Sequence, residues 1–123
     1  LDLTRRDLQA AAKERRHPWD AGKVFPGAAP CGPLRAGAAV LEDRDATIEL
    51  DVNGERRQAG RLGQMIHGVP RLLADLDRLF GLAPGDLLFT GTPAGVAAAA
   101  PGDRLLARVH GLPELALTIQ ESD

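Results

Sequence analysis

The chain has 123 residues, of which 44% are hydrophobic and 26% are charged, and its formal net charge is −2. This composition is that of an ordinary globular domain, and the near balance of charge argues against nucleic acid or a membrane surface as a partner. No apolar run approaches the roughly 20 residues of a membrane span, and a single cysteine cannot build an internal disulfide framework, so we expect a cytoplasmic protein that binds a small molecule.

The first residues do not look like the start of a complete protein. Residues 1–4 (LDLT) contain no initiator methionine, and the one methionine of the sequence is Met65. No arrangement of basic head, apolar centre and cleavage site marks a signal peptide. We therefore expect the chain to be a fragment of a longer protein.

A helix is predicted over residues 5–16. Thr4 and Asp7 loosely match a capping box, and a run of good helix formers follows them. Pro18 should end this helix, because the residue before a proline is disfavoured in the helical region. Residues 17–45 are rich in proline and glycine, which predicts a long irregular segment over a scaffold.

A β-hairpin is predicted next. Polar and apolar residues alternate over 46–52, as they do in a half-buried strand. The pair Asn53-Gly54 favours a type I′ turn, which would lead into a second strand over 55–59.

The rest of the chain combines one helix with further strands. Pro70, leucines at helical spacing and Gly81 predict an amphipathic helix over 69–80 that packs on a sheet. Three more strands are expected, at 86–89, 104–109 and 115–119. Together these elements predict a single domain that is mainly β, of the α+β class, with two short helices and long loops.

Three side chains can carry chemistry, and each also has a purely structural interpretation. Asp2 precedes the first helix, where a carboxylate either stabilises the helix start or binds a hard cation such as Mg²⁺. Lys23 is either a solvated lysine or an ammonium group that holds an enolate or carboxylate oxygen. The turn around Thr92 is either a plain connector after a strand or a concavity that binds an anion.

Other chemistries are not supported by the sequence. The turn 90–95 is neither a phosphate-binding P-loop nor a dinucleotide fingerprint. Cys31 is not accompanied by a nearby histidine, which argues against a nucleophilic pair.

Four separated motifs resemble the fumarylacetoacetate hydrolase family, in order and in spacing. They are residues 1–9 (LDLTRRDLQ), 18–25 (PWDAGKVF), 52–58 (VNGERRQ) and 84–96 (PGDLLFTGTPAGV). The similarity spans essentially the whole chain and is greatest to the acylpyruvate and fumarylpyruvate hydrolase branch. Pro26 and the pair 97–98 depart from the family pattern, which affects the expected shape of the local loops.

The resemblance implies a fold and a set of site residues. The family's catalytic domain is a mixed β-sandwich roll that holds Mg²⁺ or Mn²⁺ by three carboxylates, and residues 1–123 would be the C-terminal portion of this one domain. Asp2 matches the third carboxylate, whereas the first two and a water-activating Glu–His pair belong upstream. By the same match, Lys23 would be catalytic and contact a substrate oxygen, Arg6 and Gln9 would line the pocket, and Thr92 would hold the substrate carboxylate.

The implied reaction is cleavage of a carbon–carbon bond in a short 2,4-dioxo acid. Water attacks the distal carbonyl, and pyruvate leaves as an enolate that the metal and Lys23 stabilise. The same chemistry would serve an oxaloacetate decarboxylase or an isomerase/decarboxylase of aromatic catabolism. A hypothesis of a different functional class is that the chain is a non-catalytic fragment that retains the fold. We expect the intact protein to be a homodimer that acts on a 2-oxo acid, and the fragment alone to be inactive.

Overall fold

The computed structural model describes residues 1–37 and 39–121. Its chain divides into two compact units, Leu1–Gly32 and Pro33–Asp123. We call them the first and the second unit and describe each by itself. That both belong to one catalytic domain stays a prediction.

The first unit is built around helix α1, Arg6–Arg15, which confirms the helix predicted over 5–16. It ends at Arg15, and the left-handed φ of 55° at the C-cap residue Arg16 turns the chain out of the helix. The predicted capping box is wrong. Arg5, and not Thr4, is the N-cap, and it makes no side-chain cap bond. The Thr4 hydroxyl instead accepts a hydrogen bond from Lys23.

A one-turn helix, α2 (Asp20–Lys23), interrupts the segment that we expected to be irregular. Gly22 is buried at its contact with α1, and a β-carbon there would lie 3.0 Å from the Gln9 nitrogen and 3.2 Å from the Arg5 oxygen. The Arg5 N–H also donates to the Gly22 carbonyl over 3.0 Å. The absence of a side chain at residue 22 therefore lets α2 lie directly against α1.

The second unit contains a four-stranded antiparallel sheet with the order β2-β1-β3-β4. Its strands are β1 (Thr47–Val52), β2 (Glu55–Arg61), β3 (Arg104–Val109) and β4 (Leu115–Thr118). Its helices are α3 (Ala39–Glu42), a 3₁₀ turn (Leu62–Gln64) and α4 (Val69–Phe80). The predicted α+β class is confirmed, as are α4 and these four strands.

The β1–β2 turn has the predicted type I′ geometry, since Asn53 and Gly54 both have positive φ, 54° and 84°. The Asn53 side chain also ties the turn to β3. Its amide nitrogen donates to Asp103 over 2.8 Å, and its oxygen accepts from the Arg104 N–H over 2.9 Å.

The two faces of the sheet differ in chemistry. On one face, Val52 and Leu105 lie opposite each other on β1 and β3 and are among the few buried apolar residues. On the other face, the Asp51 carboxylate accepts hydrogen bonds from Arg56 of β2 and from Arg108 of β3. These two guanidinium groups hold the pKa of Asp51 below its usual value of 3.8.

Two expectations about the second unit are wrong. Residues 86–89 do not form a strand, because they have no hydrogen-bonded strand neighbour among the residues described. Helix α4 does not cover its apolar face with the sheet, as Leu79 is 60% and Phe80 76% exposed. No helix in the described ranges has both the length and the apolar character needed to cross a membrane.

Candidate functional site

The first unit brings Asp2 and Lys23 together. The Lys23 ammonium group forms an ion pair with the Asp2 carboxylate and donates a second hydrogen bond to the Thr4 hydroxyl over 3.1 Å. The Lys23 side chain is 33% exposed and that of Asp2 49%. The cluster is thus a partly open site at which the Lys23 ammonium group and the Asp2 carboxylate are both partly exposed to solvent.

Backbone hydrogen bonds hold the segment that carries Asp2. The Leu3 N–H donates to the Ala28 carbonyl over 2.8 Å, and the Arg5 N–H donates to the Gly22 carbonyl. Lys23 is the last residue of α2, which packs on α1 through Gly22. Backbone contacts therefore hold the two segments that carry Asp2 and Lys23.

Arg6 and Gln9 are a second pair in the first unit, one turn apart on α1. The Arg6 guanidinium donates to the Gln9 side-chain oxygen over 3.3 Å. Gln9 is 8% exposed, and its backbone nitrogen lies beside Gly22, the residue before Lys23. Because its oxygen accepts from Arg6, the amide end of Gln9 has a defined orientation.

Thr92 lies in the second unit, in a loop that follows β2 closely. The amide nitrogen of Gln58 donates to the Thr92 hydroxyl oxygen and to the Pro93 carbonyl, each over 2.8 Å. A β-carbon on Gly60 would come within 2.9 Å of the Pro93 ring, and one on Gly95 would overlap the Arg57 carbonyl oxygen. The loop can approach the strand only because these two positions are glycine.

Asp2 fits one position of a divalent metal site. A carboxylate oxygen is a hard ligand of the type that Mg²⁺ and Mn²⁺ prefer. Within residues 1–37 and 39–121, no group of three or more histidine, cysteine or acidic side chains is placed to hold a metal ion. The part of the chain that the structure describes therefore contains no complete set of metal ligands.

Two residues of these clusters are not identified as site residues by the sequence. Thr4 was interpreted as a helix cap, and its hydroxyl contacts Lys23 instead. Gln58 belongs to the motif at 52–58, but a glutamine on a predicted strand gives no sign of a contact 34 positions away. Neither contact has a local sequence pattern, because each depends on how distant segments pack.

Comparison with known proteins identifies the family. The family model described as "Fumarylacetoacetate (FAA) hydrolase C-terminal" matches residues 1–120. The chain belongs to the fumarylacetoacetate hydrolase family. The resemblance of the four motifs is thereby confirmed.

Curated relatives within the fumarylacetoacetate hydrolase family carry more than one activity. The chain is 40% identical to a fumarylpyruvate hydrolase from Ralstonia sp over 119 residues, which are 97% of this chain and 62% of the relative. It is 38% identical to an oxaloacetate tautomerase from Escherichia coli (strain K12) over 112 residues, which are 90% of this chain and 51% of that protein. The chain therefore spans about half to three-fifths of the length of these relatives.

A solved structure of the fumarylacetoacetate hydrolase family has the same fold over the matched region. It is the fumarylpyruvate hydrolase from Pseudomonas aeruginosa, in complex with Mn²⁺ and pyruvate, and is 44% identical with a TM-score of 0.89. The match covers 97% of this chain and 51% of that one. The predicted fold class is thus confirmed by a structure as well as by the sheet itself.

Proposed function

We propose that the intact protein is a divalent-metal-dependent hydrolase that cleaves a carbon–carbon bond in a short 2,4-dioxo acid of the acylpyruvate or fumarylpyruvate type. The observation that carries the proposal is the pairing of Lys23 with Asp2 at a partly open site. The 40% identity to a fumarylpyruvate hydrolase supports the substrate class. Residues 1–123 would then be the C-terminal portion of one catalytic domain.

In this proposal Asp2 contributes one oxygen to a Mg²⁺ or Mn²⁺ ion. The remaining ligands would come from residues of the full-length protein that lie outside the segment matched here. When bound, the metal would supply a positive charge that favours enolate character on a 2-oxo acid. The Mn²⁺ and pyruvate in the Pseudomonas aeruginosa enzyme are consistent with such a site.

Lys23 is proposed to stabilise the charge that develops during cleavage. When water adds to the distal carbonyl and the carbon–carbon bond breaks, the electron pair moves onto the pyruvate portion, whose oxygen becomes negative. An ammonium group already oriented by Asp2 and Thr4 can hold that oxygen without reorganising solvent. The products are a carboxylic acid and pyruvate, which takes up one proton on carbon.

The other predicted residues are proposed to bind and orient the substrate. Arg6 and Gln9 present a guanidinium group and an amide whose mutual orientation is set by their hydrogen bond. Thr92 offers a hydroxyl group to the substrate carboxylate, which is a strong hydrogen-bond acceptor. These three residues would contribute more to substrate affinity than to the cleavage of the carbon–carbon bond.

A second candidate function is the tautomerisation of oxaloacetate. Two observations favour it: the 38% identity to the Escherichia coli tautomerase, and 30% identity over 123 residues to the human mitochondrial oxaloacetate tautomerase. In this case Lys23 would hold the same enolate oxygen, but no carbon–carbon bond would break. Oxaloacetate decarboxylation is a related alternative, which releases carbon dioxide.

Product analysis on the full-length protein distinguishes these activities. With Mg²⁺ or Mn²⁺ present, we expect fumarylpyruvate to be converted to fumarate and pyruvate in equal amounts. Interconversion of the keto and enol forms of oxaloacetate without net product would favour the tautomerase, and release of carbon dioxide the decarboxylase. If none of these substrates is converted, the result favours the hypothesis that the protein is non-catalytic and only retains the fold.

Three further properties belong to the same proposal. We expect the intact protein to be a cytoplasmic homodimer, which sedimentation and cell fractionation test. We also expect the 123-residue chain alone to be inactive, since it supplies one carboxylate to the metal site. Full activity of the isolated chain would contradict this division of the site.

A further inference from the structure

The β-sheet holds the backbone of Gln58 in position, independently of its side-chain contacts. It lies within β2 and pairs with Leu50 of β1 in the sheet register. Its side chain reaches the loop after residue 90 and donates from one nitrogen to both the Thr92 hydroxyl and the Pro93 carbonyl. An amide nitrogen carries two hydrogens, so both donors of Gln58 are used on this loop.

The direction of the first of these bonds decides what the Thr92 hydroxyl can do. A hydroxyl group has one hydrogen to donate and two lone pairs to accept with. Because Gln58 occupies one lone pair, the hydrogen of the hydroxyl must point elsewhere. Among residues 33–37 and 39–121, no side-chain hydrogen bond provides an acceptor for that hydrogen.

A carboxylate is the ligand that matches this arrangement. It has only acceptor atoms, so it binds a hydroxyl group that donates and repels one whose lone pairs face it. A threonine side chain that is free to rotate would lose rotational freedom on binding, whereas one already held by an amide loses less. The second bond of Gln58, to Pro93, also restrains the backbone next to the hydroxyl.

We infer that Gln58 is a positioning residue, which holds the Thr92 hydroxyl as a hydrogen-bond donor toward the carboxylate of a 2-oxo acid. The inference rests on the proposed function, in which Thr92 binds this carboxylate. Gln58 itself does not touch the ligand and acts through Thr92. Its substitution should therefore matter only while the hydroxyl is present.

The test measures competitive inhibition by oxalate, together with kcat and KM, in the full-length protein with saturating Mn²⁺. Four forms are compared: wild type, Gln58→Met, Thr92→Val and the double variant. We expect Gln58→Met to raise the inhibition constant and KM about three- to tenfold, with kcat nearly unchanged. This is the change in affinity expected from the loss of one neutral hydrogen bond. In the Thr92→Val background the same substitution should change the inhibition constant less than about twofold.

An isosteric substitution distinguishes the loss of the hydrogen-bond donor from a change in the shape of the side chain. Gln58→Glu keeps the shape of the side chain, but its carboxylate accepts the Thr92 hydrogen and so turns it away from the ligand. Oxalate should bind this variant more weakly than Gln58→Met. Gln120→Glu, at an exposed position after β4, controls for the added negative charge and should leave inhibition unchanged.

The outcomes separate this inference from the proposed function. Equal effects of Gln58→Met with and without the Thr92 hydroxyl would overturn the inference, as would wild-type inhibition in Gln58→Met and Gln58→Glu. If the wild type binds oxalate but cleaves no dioxo acid, the hydrolase proposal fails, while the comparison of variants still decides the role of Gln58. If the wild type neither binds oxalate nor turns over a 2-oxo acid, both are overturned.

Discussion

The ammonium group of Lys23 contacts the carboxylate of Asp2, although the two residues are 21 positions apart in the chain. The contact depends on Gly22, which lets α2 reach α1, and on the hydrogen bond from Leu3 to Ala28. The carboxylate that we propose as a metal ligand and the ammonium group that we propose to hold an enolate oxygen are therefore side by side. Both groups can be tested separately by substitution.

Replacement of Asp2 by asparagine should weaken metal binding in the full-length protein. The amide keeps the shape of the side chain but loses the negative charge that a hard divalent cation prefers. Calorimetric titration with Mn²⁺ measures the effect, and Asp7→Asn, in the first turn of α1, is the matched control. Equal Mn²⁺ affinity in Asp2→Asn and the wild type would remove Asp2 from the metal site.

Replacement of Lys23 by methionine should lower kcat by about 10² or more, the loss expected for an oxyanion donor. The charge that Lys23 faces is greatest when the carbon–carbon bond breaks, so the effect on kcat should exceed that on KM. Steady-state kinetics with fumarylpyruvate measure both constants. Lys13→Met, which removes an ammonium group that lies 4.8 Å from the Trp19 ring centre, is the control.

A rise in KM alone for Lys23→Met would reassign this residue to uniform substrate binding. The same variant also removes the partner of Asp2. Mn²⁺ affinity should therefore be measured in parallel, so that a loss of metal is not mistaken for a loss of the oxyanion contact.

Replacement of Thr92 by valine should weaken oxalate binding by about 1.5–3 kcal/mol, the value of a charge-assisted hydrogen bond. Valine preserves the shape of threonine and removes only the hydroxyl group. The inhibition constants are compared with saturating metal, with Thr118→Val on β4 as the control. An unchanged constant would show that the loop is only a connector.

The loop at Thr92 should also depend on Gly95. An alanine there would overlap the Arg57 carbonyl oxygen, and φ at this position is +98°, a region that other residues rarely adopt. Gly91 has a similar φ of +95° but open space around it. Gly95→Ala should therefore weaken oxalate binding and lower thermal stability more than Gly91→Ala. Equal effects would mean that backbone strain alone is important.

Acid should destabilise the second unit through Asp51. Arg56 and Arg108 lower the pKa of this carboxyl group in the folded protein, so its contribution to stability is present above the unfolded pKa. That contribution is lost as the pH falls through the lowered value. The thermal midpoint measured between pH 3 and pH 6 should therefore fall less steeply in Asp51→Asn. Asp45→Asn, at a side chain that is 91% exposed, should retain the wild-type profile.

The sequence alone was sufficient for the elements whose signals are local. The type I′ hairpin follows from Asn53-Gly54, because only a few residues adopt positive φ at both turn positions. Helix α1 follows from a run of residues with high helix propensity, and α4 from Pro70, leucines at helical spacing and Gly81. The four family motifs likewise identified the family, since their residue types and spacing are visible without any structure.

Contacts between distant segments were decided only by the tertiary structure. The Thr4 hydroxyl had a plausible local partner in its own helix, yet the packing of α2 on α1 placed Lys23 beside it. Residues 86–89 have the composition of a strand, but a strand also needs a hydrogen-bonded neighbour, which composition cannot supply. The link from Gln58 to Thr92 is of the same kind, because it exists only where the loop folds back onto β2.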